Sequence, residues 1–149
     1  VTGLGVIEVD ANGCVHVHHA VVRTKPRDGT TKRLATIRDG VRACAREFAV
    51  EAGAIEASFV GKNMRSAMSL GQARAAAMLG LAEAGIEVFE YAPNLVKQTV
   101  VGYGHGDKAQ VGLMVRLQLG MAKDPTPADA ADALAIAITH WAHTRLLRR

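Results

Sequence analysis

Two carboxylates one helical turn apart, Asp129 and Asp132 in the stretch TPADAADALAIAITH, are the side chains of this sequence best placed to do chemistry. Read as a helix over residues 126–140, the stretch opens with Thr126 as N-cap and Pro127 in the first turn. Asp129 then stands three residues after the cap, where a capping box expects an acid. Asp132 is one acid too many. It shares the face of Asp129 in a helix otherwise built mainly from alanine, leucine and isoleucine. Two carboxylates at one helix end repel unless a cation, a shared proton or open water sits between them. A divalent-metal site is the first reading; a helix cap beside a surface acid is the plain alternative.

A third acid, Glu56, lies near the end of the short apolar run AGAIEASF over residues 52–59, where open α/β sheets place their ligands. An isolated acid there can also simply face water. Beyond it, FVGKNMRS groups Phe59 with Lys62, Asn63 and Arg65. An aromatic ring beside cationic and amide groups can stack on an unpaired base while holding phosphates, although Phe59 equally suits the core at its strand's end. GYGHGDK has the glycines of a phosphate loop but not its pattern, since Lys108 follows aspartate and precedes alanine. Nucleotide binding is rejected there; a basic loop with Lys97 and Lys108 at its ends, touching a phosphate backbone, fits better. His16 and His18 fall on one strand face with Val15 and Val17 on the other. No third ligand is spaced with them, so an exposed polar face is preferred to a metal site.

The elements that carry these groups follow from periodicity. Residues 2–9 and 15–24 alternate as strands around the turn signal Asn12-Gly13 and should form an antiparallel hairpin. Leu34, Ile37, Val41, Ala45 and Phe48 recur at helical spacing over residues 32–48, with Arg33, Arg38, Arg42 and Arg46 on the wet side. Residues 65–84, rich in Ala, Met and Leu, favour a long helix whose small side chains let another helix approach. A strand at 86–93, a short helix, and a helix from near Lys108 to Gly120 lead into the acidic helix. The order implies a mixed α/β sheet with helices on its faces.

The sequence has 149 residues, 49% hydrophobic and 21% charged, as expected of one globular domain over residues 1–149, and lacks an apolar run of bilayer length. No signal peptide is visible. Cys14 and Cys44 have no metal or redox spacing and read as reduced cytoplasmic thiols. The formal charge of +4 leans toward a polyanionic partner.

VTGLGVI, AIEASFVGKNMRSAMSLGQARAAAM, VFEYAPNLVKQTVVGYG, DKAQV and ADAADALAIAITH, taken together and in this order, resemble the RuvC family of bacterial Holliday junction resolvases, which are ribonuclease H-like nucleases. The resemblance implies a five-stranded mixed sheet flanked by helices, with its first strand central, and an acidic cluster holding Mg²⁺ or Mn²⁺, two ions per site. It maps the family's strand glutamate onto Glu56 and its paired C-terminal acids onto Asp129 and Asp132. The aromatic that approaches the bases maps onto Phe59, with Lys62 and Arg65 beside it, and the basic residues near the scissile phosphate map onto Lys97 and Lys108. It further implies a homodimer, with the 65–84 helix as the expected interface, paired nicking of four-way junction DNA in recombination and repair, the branch-migration partners RuvA and RuvB, and a bacterial cytoplasmic setting. In the family, a strand ending in GIDPG, whose aspartate is a fourth ligand, precedes the VTGLGVI-like segment. The expectation is therefore a start lying downstream of that central strand. If that acid is truly absent, the alternative is a non-catalytic junction-binding module.

Overall fold

The computed structural model describes residues 1–57, 63–102 and 106–147. Strands Thr2–Val9 (β1) and Cys14–Val22 (β2) form the expected antiparallel hairpin. Its turn is closed from Asp10, whose carboxylate accepts the Asn12 and Gly13 amides at 2.7 and 3.0 Å. Helix Thr30–Glu47 (α1), strand Ala52–Glu56 (β3), helix Met64–Glu83 (α2) and strand Glu87–Tyr91 (β4) follow. Helices Pro93–Val101 (α3), Lys108–Leu119 (α4) and Ala128–Leu147 (α5) complete the order. Strands β3 and β4 pair in parallel, joined by α2 as crossover.

The acidic helix α5 is the centre of the molecule. Ala130, Ala131, Leu134, Ala135, Ile138 and Thr139 are all buried and Ala133, Ile136 and Ala137 are half-buried between them, which explains the unbroken apolar run from Ala133 to Ile138. The Thr139 hydroxyl is satisfied by the Ala135 carbonyl at 2.8 Å. One apolar cluster joins Leu134, Ala135 and Ile138 to Val96, Val100, Val111, Val115 and Leu119 of α3 and α4. A second gathers Ile37, Val41 and Ala45 of α1 with Ala76 and Leu81 of α2 and Ile86. Glycine brings β1 onto α5: a β-carbon at Gly3 would overlap the Asp129 carbonyl, and one at Gly5 would stand 2.7 Å from the Leu134 nitrogen.

Three expectations are corrected. First, the pairing slips between Val6 and Ile7, leaving Val17 as the extra residue of a β-bulge. The bulge breaks the alternation, so His16 meets His19 with ring nitrogens 2.7 Å apart, while His18 stacks on Phe48 at 4.5 Å. Second, Thr126 and Asp129 form no capping box among the described residues; the first helical bonds of α5 are accepted by the Pro127 carbonyl. The box is instead at α4, where Asp107 accepts the Gln110 amide at 2.8 Å and the Gln110 side chain accepts the Asp107 amide at 2.9 Å. Third, the α1 arginines are not merely solvated. Arg42 binds Glu83 at 2.6 Å and Arg46 donates to the Glu83 carbonyl at 3.2 Å, tying α1 to the end of α2.

The strands form a mixed but divided sheet. The β1–β2 and β3–β4 pairs are not hydrogen-bonded to each other. Between the unpaired edges of β1 and β3 lies a cleft of about 1130 Å³, bounded also by α1, α2 and α5, with Glu56, Asp129 and Asp132 on its lining.

Candidate functional site

Glu56 is the last residue of β3, and Asp132 stands in the second turn of α5. Their strand and helix bring two sequence-distant acids to one part of the cleft. Glu56 is exposed as a residue, yet protein crowds its carboxyl: burial, and next the charge of Asp132, push its pKa up, while Lys97 and Lys108 pull it down. Burial also raises the pKa of Asp132; Lys108 opposes that rise, Asp129 adds to it, and Lys97 opposes it. These five groups therefore share one electrostatic neighbourhood. Repelling carboxylates kept partly out of water, with two ammonium groups nearby, are suited to gripping a cation and a phosphate together.

Each group is placed by identifiable local structure. Lys108 is the first residue of α4, fixed by the Asp107/Gln110 capping box, and its ammonium lies 3.9 Å from the Asp132 carboxylate. Lys97 lies in α3, whose start is set by Pro93. Asp129, released from capping, is exposed in the first turn of α5 directly above Gly3. The end of β3 is held by Arg74 of α2, whose Nε donates to the Glu56 carbonyl at 3.2 Å while its guanidinium pairs with Glu90. Arg65 is exposed in the first turn of α2, at the end that follows β3. Phe59 and Lys62 lie outside the described residues.

Among the described residues, no three acidic, histidine or cysteine side chains gather closely enough to hold one ion. The donor chemistry fits a hard divalent cation, but Glu56, Asp129 and Asp132 line the cleft without closing around a single point.

Sequence reasoning passed over Arg74, Tyr91 and His140. Arg74 is a lone charge inside an alanine-rich stretch. Tyr91 is the ladder partner of Glu56 on β4. His140 continues the face of Asp132 through Ile136, a spacing of four residues repeated, and was the legible signal.

The family profile "Crossover junction endodeoxyribonuclease RuvC" matches residues 1–140. The chain belongs to the RuvC family. A crossover junction endodeoxyribonuclease RuvC from Afipia carboxidovorans is 46% identical over 99% of this chain and 88% of its own length. One from Rhodopseudomonas palustris is 47% identical over 99% and 84%. The structure of Thermus thermophilus RuvC in complex with Holliday junction substrate superposes with a TM-score of 0.90 and 39% identity, covering 97% of this chain and 88% of that one. A second Thermus thermophilus RuvC structure gives 0.87 at 37% identity. The α/β architecture is that of the ribonuclease H-like RuvC nucleases, and such homologues mark this chain as a nuclease-type hydrolase. Among the described residues, no helix is long and apolar enough to cross a membrane.

Proposed function

We propose that this RuvC-family chain resolves four-way DNA junctions by divalent-metal-assisted hydrolysis, cutting paired strands to leave 5′-phosphate and 3′-hydroxyl ends. The observation that carries this reading is that Glu56, Asp129 and Asp132 line one cleft, with the Lys108 ammonium 3.9 Å from the Asp132 carboxylate. In this reading Glu56, Asp129 and Asp132 hold Mg²⁺ or Mn²⁺ through carboxylate oxygens. When bound, the metal supplies charge neutralisation at the phosphate and activation of the attacking water. Lys108 offsets charge that builds on the phosphoryl oxygens, and Lys97 helps seat the phosphate. Arg65, with Phe59 and Lys62, would meet the unpaired bases and backbone at the crossover. The cleft between β1 and β3 has the open edges that a further central strand needs, and a fourth carboxylate at that strand's end would close the ring around the ion.

A two-fold dimer would match the two-fold symmetry of the junction. Its interface in this reading is the exposed stripe Met64, Met68, Gly71, Ala75, Leu79 and Ala82, which recurs on one face of α2. The face that meets α1, at Gly80, is already used within the chain. The chain acts as one domain in recombination and repair in a bacterial cytoplasm, alongside RuvA and RuvB.

The failure of three ligands to converge favours one competing reading, a module that binds junctions without cutting them. Mixing the chain with a synthetic four-way junction, beside a linear duplex and with Mg²⁺ or Mn²⁺, separates the two. Junction-selective nicks support the nuclease; retention of the junction with no nicks makes the chain a binder.

A further inference from the structure

The two acid-bearing walls of the cleft belong to different layers: Glu56 stands on the β3–β4 sheet, and Asp129 and Asp132 on α5. Among the described residues, one side-chain hydrogen bond joins that sheet to that helix, between the Tyr91 hydroxyl and His140 Nδ1 at 2.7 Å. Tyr91 is the residue directly opposite Glu56 in the parallel ladder, and its carbonyl accepts the Ala57 amide at 2.8 Å, the bond that continues the pairing past Glu56. His140 lies eight residues beyond Asp132 on the same face of α5, about 12 Å along a helix that advances 1.5 Å per residue. The contact therefore fixes the position of the Glu56 strand end against the helix that carries the other two acids.

We propose that Tyr91 and His140 form a positioning tie that sets the spacing between Glu56 and the α5 acids, and so tunes the affinity of the site for a divalent cation. This inference rests on the metal-site reading given above. The tie is built as well as placed. The His140 ring lies 4.5 Å from that of Phe89 and 5.8 Å from that of Tyr91, and Tyr91 is 5.5 Å from the ring of His143. Phe89 and Tyr91 are two apart on β4 and so share one strand face, which directs both rings at the helix. Burial holds the His140 pKa below the usual imidazole value, with Glu87 opposing and His143 reinforcing; burial raises the Tyr91 pKa. Both shifts favour the neutral side chains, and the phenol and Nδ1 share one hydrogen bond whose direction follows the histidine tautomer. Groups that orient ligands without touching the metal commonly change affinity by about 10–100-fold when lost.

The test compares Mn²⁺ binding, followed by electron paramagnetic resonance, in the wild-type chain and in Tyr91→Phe, His140→Ala and His140→Gln. Tyr91→Phe keeps the ring and loses only the hydroxyl. It and His140→Ala are expected to weaken Mn²⁺ binding by about tenfold or more. His140→Gln keeps a hydrogen-bonding partner for the phenol and is expected to restore most of the affinity. Ile37→Val, in the distant α1–α2 core, lowers stability without touching the tie and should bind Mn²⁺ as the wild type does. A Tyr91→Phe chain with wild-type affinity overturns the proposal, as does an Ile37→Val chain that loses affinity in step with its Tm. Amide exchange without metal gives the second arm. The Ala57 amide should exchange faster in Tyr91→Phe while amides of the β1–β2 hairpin stay unchanged; unchanged Ala57 protection also overturns the tie. A wild-type chain that takes up no Mn²⁺ defeats the metal-site reading instead, and the exchange arm still decides whether the tie holds the strand end.

Discussion

Replacing Gly3 by alanine tests whether the close approach of β1 is what sets Asp129 in place. The added β-carbon would overlap the Asp129 carbonyl and stand 3.0 Å from the Ala130 nitrogen, all backbone atoms that cannot swing aside. Strand and helix must separate by roughly 1 Å, and overpacking of this kind costs about 1–3 kcal/mol. For a chain near 150 residues each kcal/mol moves Tm by about 2–4 °C, so the expected fall is about 2–12 °C. A displacement of about 1 Å at a reacting centre can cost on the order of a hundredfold in rate. Gly3→Ala should therefore remain folded at 25 °C yet nick junctions about a hundredfold more slowly under single-turnover conditions. Gly13→Ala is the control, because its β-carbon would meet nothing within 4 Å, and it should keep the wild-type Tm and rate. Circular-dichroism melts paired with single-turnover cleavage read both quantities. Wild-type values of both for Gly3→Ala would refute the contact as the device that positions Asp129.

Other perturbations act on the charges and on α2. The folded pKa values of Glu56 and Asp132 lie above their ordinary values of 4.5 and 3.8, so the native state binds protons more readily than the unfolded chain. That penalty on the folded state grows as pH rises from the ordinary value through the raised one. Glu56→Gln should raise Tm at pH 7 in metal-free buffer and give no gain near pH 3; a gain confined to low pH would contradict the sign. Lys108→Met should slow nicking by about tenfold or more if the ammonium meets the phosphate. It should leave stability within about 1 kcal/mol, because the ion pair to Asp132 is 3.9 Å long and its lysine 78% exposed. Calorimetry and a cleavage assay on one preparation check both halves. Met68→Glu puts a charge in the exposed stripe of α2, where Met68 is 62% exposed. Sedimentation should show the wild type as a dimer and the variant as a monomer of similar Tm; an unchanged dimer places the interface elsewhere.

Most element boundaries were legible because the periodicity was clean. The alternation around Asn12-Gly13 yielded the hairpin, and the apolar spacing from Leu34 to Phe48 yielded α1. What failed was tertiary or local in origin. A one-residue bulge at Val17 is invisible to a period-two count, so His16 was paired with His18 in place of His19. The Thr126/Asp129 pattern matched a capping box on paper, whereas the DKAQ box at α4 had the same signature and is the one that formed. Asp129 and Asp132 stood out as excess acids on an apolar helix, while Glu56 joined them only through the resemblance to the RuvC family; the fold brings all three to one cleft. Of its supports, only the place of His140 on the Asp132 face was legible. Arg74 and the Tyr91–His140 contact emerge only when β3, β4, α2 and α5 are folded together, because nothing in sequence spacing joins residue 91 to residue 140.

In the proposed function, carboxylates on β3 and α5 drive metal-assisted cutting of a four-way junction. The most direct measurement incubates the wild type, Glu56→Gln and Asp132→Asn with an end-labelled four-way junction and Mg²⁺ or Mn²⁺, mapping the cut positions and the product ends. Symmetric paired nicks with 5′-phosphate and 3′-hydroxyl ends are expected from the wild type, and intact junction that is still bound from either variant. Junction binding without nicks by the wild type, or cutting that survives both substitutions, would contradict that function.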